Sequence, residues 1–70
     1  MNVFHERIKE LRLEKGLSQG DVALKLEVTR SAYSNYEQGI REPSYDILAK
    51  LCLLFEVSAD YLIGLTDNCW

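Results

Sequence analysis

The sequence predicts an all-α fold, a compact five-helix bundle that forms one domain over residues 1–70, and three observations support this prediction. A chain of 70 residues can bury one hydrophobic core but not two. No stretch alternates apolar and polar residues in the way that a half-buried strand requires. Helix-start signals recur along the chain with only short segments between them. The predicted helices span Asn2–Lys15, Ser18–Leu26, Thr29–Gln38, Ser44–Phe55 and Ser58–Ile63.

The first predicted helix is amphipathic. Phe4, Ile8 and Leu11 follow the i, i+4, i+7 spacing that places side chains on one face of a helix. Most of the residues between them are charged, so this helix is expected to pack by one stripe and to expose the rest. His5 has no evident partner in the sequence and is predicted to be a surface residue.

The second, third and fifth predicted helices begin with the same device. A serine or threonine acts as the N-cap, because its side-chain oxygen can accept a backbone N–H that the first turn leaves unpaired. The apolar residue before the cap can pack on an apolar residue in the first turns. The three sets are Ser18 with Leu17 and Val22, Thr29 with Val28 and Tyr33, and Ser58 with Val57 and Leu62.

The fourth predicted helix follows Pro43, with Ser44 as its N-cap and Asp46 near the positive end of the helix dipole. Its apolar face is broad enough to form the centre of a small bundle and includes Ile47, Leu48, Leu51, Leu54 and Phe55. Cys52 lies near that face and is predicted to be a small buried hydrophobic residue rather than a reactive thiol.

Composition and motifs exclude several classes of protein. The start of the chain is charged and amphipathic, and the longest apolar run, "LCLLF", is far too short to cross a membrane, so a cytoplasmic protein is expected. Cys52 and Cys69 form no C-x-x-C motif and have only His5 as an imidazole partner, so no metal site is expected. No nucleophile has a base near it, and the domain has little space for a pocket. We therefore expect no enzyme, no cofactor and no small-molecule ligand.

The net charge of −3 is unusual for a protein that binds nucleic acid. Three acidic residues, Glu56, Asp60 and Asp67, follow Phe55, and no basic residue stands among them. Before that point eight basic residues balance eight acidic ones. A neutral segment can still present a locally positive face, because surface potential depends on where the charges lie.

The third predicted helix has a polar face opposite its apolar one. Ala32, Tyr33 and Tyr36 share the apolar arc, and the opposite arc carries Arg30, Ser31, Ser34, Asn35 and Gln38. A merely solvated face usually contains Glu and Lys pairs, and this one contains neither. Arginine and asparagine are the side chains whose paired hydrogen bonds fit guanine and adenine in the major groove. This face therefore indicates a surface that reads nucleic acid.

The stretch "LSQGDVALKLEVTRSAYSNYEQGIREPSYDILAKLCLLFEVSADYLIG" resembles the phage-repressor and Cro-type helix-turn-helix family, also called the xenobiotic-response-element family. The resemblance covers nearly the whole chain and includes the "LSQ" start of the second helix, the "YEQGIREPS" exit from the third and the "VSADYLIG" fifth helix. It implies a lambda-repressor-like DNA-binding domain, in which the third helix enters the major groove of double-stranded operator DNA. It further implies a transcriptional regulator, of repressor type, that acts as a homodimer.

Carried over residue by residue, the resemblance implies two sets of DNA contacts. The residues expected to read bases are Arg30, Ser31, Ser34 and Asn35. The residues expected to contact phosphate are Ser18, Gln19, Thr29, the hydroxyl of Tyr33, and Arg41. For Gln19 and Arg41, a plain solvent-exposed role is the alternative.

The resemblance also implies a structural ion pair between Arg12 and Glu37, which would keep both residues out of the DNA contacts. The sequence departs from the family at Glu27, where the family usually has a glycine that ends the second helix in the left-handed conformation. It also departs at Gly20, where a helix-forming residue is usual.

The end of the sequence leaves two interpretations open. Leu62, Ile63, Leu65 and Trp70 form an apolar patch that predicts a symmetric dimer through the fifth helix. The same acidic and apolar tail, "YLIGLTDNCW", is the feature expected of the alternative, a protein-interaction module of the same fold such as an antitoxin or a bridging factor. The sequence leaves open whether these 70 residues are a complete regulator or part of a larger one.

Overall fold

The computed structural model describes residues 3–69, and in that range the chain forms five α-helices and no strand. The helices are α1 (Phe4–Glu14), α2 (Gln19–Leu26), α3 (Arg30–Gln38), α4 (Tyr45–Phe55) and α5 (Ala59–Ile63). The predicted all-α five-helix bundle is confirmed. The first helix is shorter than predicted, since Lys15 is its C-cap, and Asn2 lies outside the described residues.

All four predicted N-caps form. The side-chain oxygens of Ser18, Thr29, Ser44 and Ser58 accept backbone N–H groups from the third residue of their helices. At α2 the bond is reciprocal: Asp21 N donates to Ser18 Oγ over 3.0 Å, and Ser18 N donates to Asp21 Oδ2 over 2.9 Å. This capping box lowers the pKa of Asp21, because the backbone N–H of Ser18 stabilises its ionised form.

One face of each helix packs into the hydrophobic core. The predicted stripe of α1 is buried throughout, and Leu51 and Phe55 of α4 lie at the centre with Ile47, Leu48 and Leu54 partly buried beside them. The staple residues Val22, Tyr33, Val57 and Leu62 are almost fully buried. Each large apolar side chain buried in this way contributes about 1.5 to 3 kcal/mol relative to an exposed one.

The turns after α2 and α4 are built alike. Glu27 has φ 62° and Glu56 has φ 58°, so both helices end on a glutamate in the left-handed region. Each glutamate precedes a valine and a hydroxyl N-cap, so "EVT" and "EVS" are two copies of one turn. Glu27 was predicted as a departure from a glycine position, and its left-handed φ confirms that position. The second copy was not predicted.

Replacing Glu27 by glycine is expected to raise the free energy of unfolding by on the order of 1 kcal/mol, because the strain of a side chain at positive φ disappears. Its contact with Lys50, 3.5 Å between two exposed groups, adds little that would be lost. Urea denaturation would measure the change. Glu10→Gly is the matched control: Glu10 is exposed inside α1, where glycine should instead lower stability by about 1 kcal/mol. A less stable Glu27→Gly variant would contradict the prediction.

The segment after α5 folds back onto the domain. Arg7 donates hydrogen bonds from Nη1 to the backbone oxygens of Tyr61 and Thr66, and its Nη2 lies 2.8 Å from Asp67 Oδ1. Its guanidinium carbon lies 4.2 Å from the centre of the Tyr61 ring. Ser58 N donates to the backbone oxygen of Cys69 over 2.7 Å. Asp67 therefore has a basic partner in space, although none stands near it in sequence.

Candidate nucleic-acid interface

The polar face of α3 lines a shallow groove. Its volume is about 360 Å³, and its lining consists of Gln19 at the start of α2 together with Arg30, Ser31, Ser34, Asn35 and Gln38 of α3. The lining offers one guanidinium, three amides and two hydroxyls, and it contains no acidic side chain. The structure thus brings together all four residues predicted to read bases and one of those predicted to contact phosphate.

Within the groove, one pair of side chains is already bound to each other. Gln38 Nε2 donates to Ser34 Oγ over 2.8 Å. Arg30, Ser31 and Asn35 form no side-chain hydrogen bond with any other residue between 3 and 69. These three side chains are therefore free to bind a ligand, whereas Ser34 and Gln38 would have to share or exchange their bond.

The N-terminal ends of α2 and α3 border this groove. Ser18 and Thr29, both predicted phosphate contacts, are exposed, and each hydroxyl oxygen accepts a backbone N–H of its own helix. A hydroxyl that accepts a hydrogen bond in this way can still donate its proton to an anion. Helix N-termini favour negatively charged groups, because their first N–H groups point outward.

A buried hydrogen-bond network lies beneath the groove and centres on Glu37. Its carboxylate accepts from Arg12 Nε at 2.6 Å and Arg12 Nη2 at 3.2 Å. It also accepts from Tyr33 Oη at 2.6 Å and Gln19 Nε2 at 3.0 Å. Arg12 Nη1 also donates a hydrogen bond to the backbone oxygen of Leu17 over 2.9 Å. The implied ion pair between Arg12 and Glu37 is thus present and is joined to α2 and α3 through two further side chains.

Burial and hydrogen bonding act in opposite directions on this carboxylate. Burial alone raises the pKa of Glu37, but the hydrogen bonds from Arg12, Tyr33 and Gln19 outweigh it and hold the pKa below the ordinary glutamate value. The hydrogen bond to Glu37 raises the pKa of Arg12 despite burial. Burial is also the main cause that raises the pKa of Tyr33. The network therefore holds a charged pair and a neutral phenol.

Two predicted site residues have other roles. The predicted phosphate contact of Tyr33 is wrong, because its side chain is fully buried and its hydroxyl donates to Glu37. The predicted place of Leu62 in a dimer interface is also wrong, because Leu62 is fully buried in the core of its own chain. Ile63 and Leu65 of the same patch are exposed, and Trp70 lies outside the described residues.

Gln19 makes a contact that neither of its two expected roles includes, a phosphate contact or plain exposure to solvent. It is half-buried and lines the groove, but its amide nitrogen is bound to Glu37. The sequence carries no local signal for this bond, because it joins residues 18 positions apart that only helix packing brings together. The amide oxygen of Gln19 and its second N–H remain available to bind a ligand in the groove.

The described residues contain no group of three or more His, Cys, Asp or Glu side chains that could hold a metal ion. No helix among residues 3–69 has both the length and the apolarity needed to span a bilayer.

Comparisons with known proteins identify similar sequences. The sequence profile of the helix-turn-helix family matches residues 8–62. An uncharacterized HTH-type transcriptional regulator of Bacillus subtilis (strain 168), YqaE, is 44% identical over 66 residues, which are 94% of this chain and 57% of that protein. The HTH-type transcriptional regulator ImmR of the same organism is 44% identical over 59 residues, 84% of this chain and 46% of its own. The chain thus spans about half the length of these relatives.

Solved structures show the same fold. The N-terminal DNA-binding domain of SinR from Bacillus subtilis superposes with a TM-score of 0.80 at 33% identity, covering 89% of this chain and 91% of that one. The P22 c2 repressor protein in complex with a synthetic operator superposes with a TM-score of 0.85 at 26% identity, covering 91% and 97%.

Proposed function

Because this chain belongs to the helix-turn-helix family, we propose that it is a sequence-specific, cytoplasmic transcriptional regulator of repressor type that binds double-stranded operator DNA. The whole described chain acts as one DNA-binding domain, without a cofactor and without catalysis. Helix α3 enters the major groove and reads bases through Arg30, Ser31, Ser34 and Asn35. Contacts from Ser18, Gln19, Thr29 and Arg41 to phosphate fix the register of the domain on the duplex.

The observation that carries this proposal is the groove along α3. Its lining combines side chains that suit base edges with the absence of any carboxylate, in a protein whose net charge is −3. Glu37, which accepts a hydrogen bond from Gln19 of the groove, is buried and bound to Arg12, so its charge is largely neutralised beneath the surface.

Selection from a random-sequence duplex pool tests the proposal. The parent protein should retain and enrich one sequence, and Asn35→Ala should lose that enrichment. Asn68→Ala is the matched control, because it removes the same amide from an exposed position outside the groove. Retention of duplexes without enrichment would contradict sequence-specific binding, and retention of none would favour the protein-interaction alternative.

Replacing Gln19 by alanine is expected to weaken binding to every duplex by a similar factor, since phosphate contacts carry no sequence information. The structure adds a second expected effect: Glu37 loses one of its donors, so stability should fall by about 0.5 to 1.5 kcal/mol. Titrations against the selected duplex and an unrelated one, together with thermal melts, measure both effects. A loss confined to the selected duplex would show that Gln19 reads a base.

We also propose that the regulator is a homodimer whose interface includes Ile63 and Leu65. A mostly apolar groove of about 170 Å³ continues this surface and is lined by Phe4, Pro43, Tyr45 and Leu48 with Ile63. Tyr45 is 90% exposed and Leu65 is 74% exposed, which leaves a large apolar area for a partner. A two-fold dimer would place two α3 helices at half-sites about 34 Å apart.

Sedimentation of Ile63→Glu tests this interface. The substitution should shift a dimer to monomer, whereas Leu53→Glu, which changes an equally apolar but more exposed side chain on α4, should not. A parent protein that remains monomeric at high micromolar concentration, with and without a palindromic duplex, would contradict the homodimer.

A further inference from the structure

A second concave site lies beside the groove of α3. It has a volume of about 330 Å³, and the polar residues that line it include His5, Gln38, Arg41 and Glu42. Gln38 lines both this cleft and the groove, so the two are adjoining parts of one surface. Any ligand that fills the groove along α3 would therefore reach the mouth of the cleft at Gln38.

His5 belongs to α1 but lies against the end of α3. Gly39, the C-cap of α3, has φ 76°, and a Cβ atom placed on it would come within 3.4 Å of His5 Cγ. The glycine thus ends the helix in the left-handed region and leaves room for the imidazole. The packing of α1 on α3 fixes His5 next to the surface that carries the base-reading residues.

The arginines of the chain divide into two groups. Arg7 and Arg12 are bound within the protein. Arg30 and Arg41 are exposed and have no side-chain partner among residues 3–69, and each lines one of the two adjoining depressions. Every arginine that is free to bind a ligand in the described chain therefore lies on this one surface.

Glu42 also lines the cleft, but because it is exposed, solvent and salt screen its charge. It lines the apolar groove of Pro43 and Tyr45 as well, whereas Gln38 marks the end that adjoins the groove of α3. Beside Gln38, the cleft offers two nitrogen donors, the imidazole of His5 and the guanidinium of Arg41. The α3 helix separates Arg30 from Gln38 by about 12 Å, close to the width of the major groove, so an α3 helix that crosses the groove would bring a group just beyond Gln38 to the phosphate backbone.

We propose that this cleft binds one backbone phosphate of the DNA between His5 and Arg41. The inference rests on the proposed function and adds His5 to it, a residue that the sequence indicated only as a surface side chain. The imidazole donates a ring N–H and the guanidinium donates a charged pair of N–H groups, and phosphate oxygens accept from both. The contact fixes the position of α1 and α3 on the duplex and does not select its sequence.

The test compares His5→Phe, Arg41→Ala and the double variant. Phenylalanine keeps an aromatic ring against Gly39 and removes both ring nitrogens, so the fold is preserved while the donor is lost. His5→Phe should weaken binding by about 3- to 10-fold on the selected duplex, on its one-base variant and on an unrelated duplex alike. Arg41→Ala should do the same and make the negative slope of log K against log salt shallower by about 0.9.

The double variant tests whether one phosphate is shared. Because both side chains bind the same phosphate, the fold-loss of DNA affinity in the double variant should be clearly smaller than the product of the fold-losses in the two single variants. Lys9→Ala is the control, since Lys9 lies one turn from His5 on α1 and does not line the cleft. In the double variant of Lys9→Ala and Arg41→Ala, the loss of DNA affinity should equal the product of the two single losses.

The outcomes separate this inference from the proposed function. If the parent enriches a sequence but His5→Phe binds all three duplexes as tightly as the parent, the phosphate site is wrong and the regulator stands. If the effect of His5→Phe is confined to the selected duplex, His5 reads a base and the site is again wrong. If the parent enriches nothing, the failure belongs to the proposed function.

Discussion

Replacing Glu37 by alanine is expected to lower the free energy of unfolding by about 3 to 5 kcal/mol, the largest effect of any single substitution considered. The reason is that Arg12 would remain buried with no opposite charge, and the Tyr33 hydroxyl and the Gln19 amide would lose their acceptor. The single core of a domain this small rarely supplies more than about 3 to 5 kcal/mol of stability, so the variant should be largely unfolded at room temperature.

Urea denaturation measures this loss, with Glu14→Ala as the control because Glu14 is exposed in α1. Should Glu37→Ala prove unfolded in the absence of urea, Glu37→Gln and Tyr33→Phe provide smaller, measurable steps in the same network. A Glu37→Ala variant as stable as Glu14→Ala would show that the carboxylate does not hold the helices together.

The stabilisation by Glu37 should depend on pH with a definite sign. Its pKa in the folded protein is lowered, so the pair contributes fully above the unfolded glutamate value of about 4.3 and loses its contribution as pH falls through the lower folded value. The stability difference between the parent and Glu37→Gln should therefore be constant from pH 7 to about 5 and shrink in more acidic solution. A difference that grows on acidification would mean that the pKa is raised instead.

Asn35→Ala and Arg30→Ala are each expected to weaken binding to the selected operator by about 1 to 3 kcal/mol, because each would remove the paired hydrogen bond to a base edge that the proposed function assigns to it. On unrelated DNA, Asn35→Ala should have a much smaller effect, since asparagine is neutral. Arg30→Ala should in addition flatten the salt dependence, because a cation near phosphates releases counterions on binding.

Equilibrium titrations at two salt concentrations, against the operator, a one-base variant and an unrelated duplex, measure these effects. Asn68→Ala again controls for the loss of an exposed amide. An Asn35→Ala variant that binds the operator as tightly as the parent, and still discriminates the one-base variant, would mean that the groove does not read bases through Asn35.

Local chemistry explains which parts of the fold were predictable from sequence. The N-caps at Ser18, Thr29, Ser44 and Ser58 were correct because a cap and its acceptor lie within three residues, so no tertiary information is needed. The buried stripe of α1 was correct because helical spacing alone fixes which side chains share a face. The second left-handed glutamate, Glu56, could have been found by the same means, because "EVS" repeats the pattern of "EVT".

The errors concern contacts between elements. The phosphate contact of the Tyr33 hydroxyl was implied by the family resemblance, which does not show that the acceptor at the tip of this side chain is Glu37. Leu62 was assigned to a partner because α5 has five residues, too few for periodicity to separate a buried face from an exposed one. Arg7 and Asp67 are 60 residues apart, and only the return of the chain after α5 brings them together.

Of the residues that line the groove of α3, Gln19 alone also belongs to the network of Glu37, and this has a consequence for changing what the protein recognises. The side chains that hold α3 in place point inward, and Arg30, Ser31 and Asn35 have no structural bond to lose. These three positions can therefore be randomised together in a library without unfolding the domain, and new binding preferences can be selected from it. Ser34 and Gln38 should be varied as a pair, because each is the hydrogen-bond partner of the other.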